Sequence, residues 1–117
     1  MGINSTEVSY QFGQLGSAYC DAASAVTPPT NKVIIAIYFI QDNILAALVA
    51  EDVDMYFNTV AASHEQDTAT TNATDHGDGG LQLSGAKFKG GSTIFGRWTS
   101  VTPAADADGG IICYFGD

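Results

Sequence analysis

The residues best equipped for acid–base or metal chemistry fall in and beside one polar run, HEQDTATTNATDHGDGG, at 64–80. It holds the only histidines of the chain, His64 and His76, and Ser63 precedes His64 directly. A Ser–His pair does acyl transfer only when an acid orients the base and a rigid turn presents the nucleophile, and no Gly-x-Ser-x-Gly elbow is present. Solvated loop histidines and no catalytic residue are therefore expected. Asp75, His76 and Asp78 offer oxygen and imidazole ligands, while Asp106, Asp108 and Gly109 match the opening of a calcium loop. Such a loop needs further oxygen donors and a bidentate Glu near its twelfth position, and GGIICYFG follows instead. The expectation is no metal site and no cofactor, with the 64–80 run the better place for any divalent ion. Phosphate loops and dinucleotide fingerprints are absent.

A second constellation mixes charge with aromatic surface. Lys87, Lys89 and Arg97 are close in sequence, with Phe88, Phe95 and Trp98 among them, the combination that single-strand nucleic-acid binders use. The competing reading places Trp98 in the core and pairs the Arg97 guanidinium with a carboxylate or an aromatic ring. The charge balance favours the competing reading: 4 Lys and Arg stand against 13 Asp and Glu, a formal net charge of −9, whose field repels phosphate backbones and anionic lipid.

The elements that must position these residues read as strands. At 117 residues, 45% hydrophobic and 15% charged, the chain has the length and composition of one folded domain, and 13 Gly imply many turns. The unbroken apolar run Val33–Ile40 is rich in β-branched and aromatic residues and fits a strand covered on both faces. Gln41, Asp42 and Asn43 interrupt the apolar stretch that continues through ILAALVA, which makes a transmembrane helix the poor reading and a hairpin through QDN the better one; Leu and Ala keep a helical alternative open for 44–50. Pro28 and Pro29 stop the preceding element, a short strand around 17–24. VSYQF at 8–12 and LQLSGAKFK at 81–89 alternate, and 54–62 leans toward β. The closing stretch 91–117 reads as a hairpin across an acidic tip. The prediction is an all-β domain, a small barrel or sandwich of six to eight antiparallel strands closing with a C-terminal hairpin, with 64–80 a mobile surface loop.

Cys20 and Cys113 can pair in an oxidising setting, although two buried free thiols are the expectation for a protein made inside a cell. MGINST matches a myristoylation pattern through Gly2 and Thr6, but no polybasic segment follows as a second anchor, and neither a signal peptide nor membrane attachment is expected.

The phrases GSAYCDAASAVTPPTNKVIIAIYFI and GGSTIFGRWTSVTPAADADGGIICYFG carry a resemblance. The chain resembles the small uncharacterised or virion-associated proteins of marine cyanophages and ocean viral sequences, strongest over 90–116 and weakest through 64–80. The resemblance implies a compact β fold of the Sm-like, ring-forming small-barrel kind and no enzymatic activity. The expected role is a virion structural component, a capsid decoration, cement or appendage subunit made in the host bacterial cytoplasm. Its expected partners are other virion proteins and itself, as a ring or trimer. The expected interface residues are Arg97, Phe95, Ile35, Ile37 and Phe39. The alternative is an Sm-like nucleic-acid-binding module using Lys87, Lys89 and Arg97. A third reading is a host-surface adhesin that binds glycan through 64–80.

Overall fold

The computed structural model describes residues 15–53, 55–60, 82–104 and 110–117, and within them the chain forms six strands and no helix. These are β1 (Ser17–Cys20), β2 (Val33–Phe39), β3 (Asn43–Ala50), β4 (Lys87–Phe88), β5 (Thr93–Pro103) and β6 (Ile111–Gly116). All pair antiparallel in one sheet of order β1-β6-β2-β5-β3-β4. The sheet is open, with β1 and β4 at its edges. The all-β class is as the sequence predicts, and 44–50 is strand rather than helix. Residues 8–12, 64–80 and the Asp106 and Asp108 tip lie outside the described residues.

Two pairings differ from expectation. The closing strands β5 and β6 are not a hairpin, because β2 is inserted between them and bonds to both. The physical reason is the composition of β2. Its apolar side chains point to both faces, and a central position covers both edges of its backbone. The strands around QDN likewise do not pair with each other, since β5 lies between β2 and β3. Residues 40–42 are instead a corner at which a two-chain ribbon bends. Before the bend, Phe39 N–H donates to Ser92 O at 2.9 Å and Gly91 N–H to Phe39 O at 2.6 Å. Beyond it the pairing resumes at Asn43 with Phe88. Asp42 Oδ1 holds the corner by accepting from Gly90 N–H at 2.8 Å, and Lys89 Nζ lies 3.6 Å from Asp42 Oδ2. Gly90 is required there: a Cβ would stand 3.0 Å from Ile40 O and from Gln41 Cα.

Three irregularities in register decide which residues enter the core. Ile35 is extra in β2, so Ile34 and Ile37 both reach one face, and both are fully buried. Ala46 does the same for Leu45 and Leu48 in β3, and Thr99 for Trp98 and Val101 in β5. The core on that face comprises Ile34, Ile37, Phe39, Leu45, Leu48, Ala50, Trp98, Val101, Ile111, Cys113 and Phe115. Its cover is irregular chain. Residues 55–60 are a loop rather than the expected strand: Trp98 Nε1–H donates to Phe57 O at 3.0 Å, with the Phe57 ring edge-on to the indole. Thr59 finishes the outer edge of β3, donating N–H to Leu48 O at 2.8 Å and accepting Leu48 N–H on Oγ1 at 2.9 Å. The Asn58 side chain is fully used, donating to Val53 O and Tyr56 O and accepting Val60 N–H.

Candidate interaction face

On the opposite face of the sheet the described residues bury Ala36 and Val33, while the larger side chains stay partly exposed. Its membership follows from register, since directly paired residues share a face. One row runs Tyr19, Ile112, Tyr38 and Thr93 across β1, β6, β2 and β5. The next runs Ser17, Tyr114, Ala36 and Phe95. Tyr19 is 58% exposed and Phe95 62%, while Tyr38, Ile112 and Tyr114 are half-buried. Beyond the second row lies a half-open pocket of about 320 Å³ lined by Leu15, Ile35, Gly116 and Asp117. Gly116 makes the hollow: a Cβ there would meet Ile35 Cγ2 at 2.6 Å.

Ion pairs rim this face. Arg97 grips Glu51 with both arms, Nε to Oε1 at 2.6 Å and Nη2 to Oε2 at 3.2 Å, and donates from Nη1 to Asp117 O at 2.8 Å. Lys32 Nζ meets Asp117 Oδ1 at 2.9 Å. The hydrogen bond from Arg97, followed by its charge, holds the Glu51 carboxyl below its ordinary pKa against partial desolvation. Tyr19 donates its hydroxyl to Asp21 Oδ2 at 3.4 Å, and partial desolvation followed by the Asp21 charge raises its pKa.

The residues expected at an interface separate. Arg97, Phe95 and Ile35 lie on or at the rim of this face, whereas Ile37 and Phe39 are fully buried in the core of their own chain, because the Ile35 bulge turns them inward. Of the three basic residues close in sequence, Arg97 is set apart from Lys87 and Lys89, which stay together near Asp42. Lys87 pairs opposite Ile44 at one end of β3, and Arg97 sits by Glu51 past the other end, on the order of 20 Å along the strand. Arg97 is committed to Glu51 and Asp117, and Lys89 faces Asp42. Ser63, His64, Asp75, His76, Asp78, Asp106 and Asp108 lie outside the described residues, among which no group of three His, Cys, Asp or Glu gathers to hold a metal.

Sequence reasoning missed Tyr19, Tyr38, Tyr114 and the Leu15–Gly116 pocket. Tyr38 and Tyr114 were masked inside apolar runs, and only cross-strand register puts the three tyrosines on one face. The cysteines lie near each other on the core side at offset positions, Ala18 opposite Cys113 and Cys20 opposite Ile111, and both thiols are free. Such diagonal neighbours are about 7–8 Å apart, beyond the span of an unstrained disulfide.

Compared with protein-family models, curated proteins and solved structures, this chain matches none.

Proposed function

We propose that this protein is a non-enzymatic structural subunit that works by associating with its own copies and docking on a larger particle. The virion of a marine tailed phage is the particle to which the sequence resemblance points, with the chain as a decoration, cement or appendage subunit. The observation that carries the reading is the four-strand outer face bearing Tyr19, Tyr38, Ile112, Tyr114 and Phe95. Aromatic surface of this kind is enriched at protein interfaces. Charge distribution supports it: the paired rows Tyr19–Ile112–Tyr38–Thr93 and Ser17–Tyr114–Ala36–Phe95 contain no charged residue, in a chain of formal net charge −9. Two copies can approach on a neutral face without opposing the full charge. The Sm-like small barrel belongs to the same proposal, supported by the three register shifts that bend the sheet.

The nucleic-acid alternative draws no support from the placement of Lys87, Lys89 and Arg97. The test is mass spectrometry of density-purified particles of the phage that encodes the chain. Its peptides should be present at a stoichiometry comparable to a shell or tail protein. Their absence from particles, with the protein abundant in infected cells, would overturn the virion reading.

A further inference from the structure

The outer face carries both halves of a contact. Register gives the rows Tyr19–Ile112–Tyr38 and Ser17–Tyr114–Ala36, and beyond the second lies the pocket of Leu15, Gly116 and the bulged Ile35. The first row and the pocket are displaced by about the same distance along the strands, on either side of the second row. Among the described residues the pocket is lined by Leu15, Ile35 and Gly116 with one carboxylate, Asp117, a lining that suits a phenol ring and its hydroxyl. Tyr19, 58% exposed on edge strand β1, is the most exposed of the three phenols on this face.

We infer that the partner of this face is a second copy of the chain, joined by a twofold axis along the Ser17–Tyr114–Ala36 row, with Tyr19 of each copy seated in the Leu15–Ile35–Gly116–Asp117 pocket of the other. This rests on the self-association reading above and names its contact. A twofold places any patch against itself, so knob and hollow must share one face, as they do here. The area sets the strength. The two rows and the pocket, over four strands, span roughly 15 by 15 Å, well under the roughly 800 Å² per partner of a standard interface, so the dimer is small and reversible.

The test uses the full chain by sedimentation equilibrium, with circular dichroism to confirm that each variant is folded. Tyr19→Ala should weaken dimerisation roughly 10- to 30-fold, as loss of an aromatic anchor does. Leu15→Trp, which fills the pocket, should do the same. An equimolar mixture of the two should recover dimers, because the Tyr19 of one variant fits the open pocket of the other. Wild-type self-association that survives Tyr19→Ala unchanged, or a closed trimer in place of a dimer, overturns this contact while leaving self-association standing. A wild-type chain that stays monomeric at hundreds of micromolar overturns the contact together with the reading beneath it.

Discussion

At the scale of single residues, Trp98 does most to hold the fold. Its indole is fully buried, its N–H is satisfied by Phe57 O, and Gly96 leaves the space it occupies, since a Cβ there would lie 2.7 Å from the ring. Trp98→Ala should cost about 3 to 5 kcal/mol, read as a shift in urea midpoint at constant slope. Asn43 shows the opposite economy. It is 3% exposed, and neither side-chain atom finds a partner among the described residues. Replacing such a group by an apolar one of similar size removes a desolvation penalty, so Asn43→Leu should raise the melting temperature, by an amount corresponding to about 1 to 3 kcal/mol. The cysteines also divide. Burial, and then the neighbouring Cys20, push the Cys113 thiol up to about 12. A thiol reagent at pH 8 should modify Cys20 in the native protein and leave Cys113 until the chain unfolds; equal rates at both would contradict the buried placement. Because the fold favours the neutral Cys113 thiol, this contribution is complete below the ordinary value of 9.0 and is lost as pH rises toward 12.

At the scale of elements, the corner at 40–42 and the clamp between β3 and β5 depend on carboxylates. The bond from Gly90 N–H, more than the charges of Lys89 and Lys87, lowers the Asp42 pKa below 3.8, and Arg97 lowers that of Glu51 below 4.5. Both groups are therefore charged more readily in the folded state, and their stabilisation is present above the ordinary values and lost as pH falls through the lowered ones. The expected outcome is an acid-induced fall in melting temperature that is smaller in Asp42→Asn, which carries no titrating group at the corner. An identical acid profile in the variant would show that the corner does not contribute. The strands themselves were legible because β2 and β5 are apolar, β-branched and bounded by Gly and Pro. Their partners were not, because pairing is long-range: QDN has the composition of a hairpin turn whether or not β5 enters beside β2. Faces were legible only between bulges, since each extra residue reverses the alternation, which is why Ile35 emerges on the outside while Ile37 and Phe39 turn inward. The loop at 55–60 read as strand for the same local reason, its backbone being satisfied by Thr59 bonding to Leu48, 11 residues away.

At the scale of the whole molecule, one sheet buries a core on one side and presents tyrosines, a pocket and paired charges on the other. The part of the candidate site visible in the sequence was Arg97 with Phe95, whose neighbour Trp98 must point the other way in a strand. The remainder required register. The account's central claim is that this outer face joins copies of the chain, through apolar and aromatic contact more than through charge. Molar mass by light scattering over a dilution series, at low and at high salt, tests it most directly. The account predicts a mass rising with concentration from the 12.2 kDa of one chain to twice that value, with the transition retained at high salt because only the rim charges are screened. A constant mass of one chain at every concentration and in both salts would contradict it.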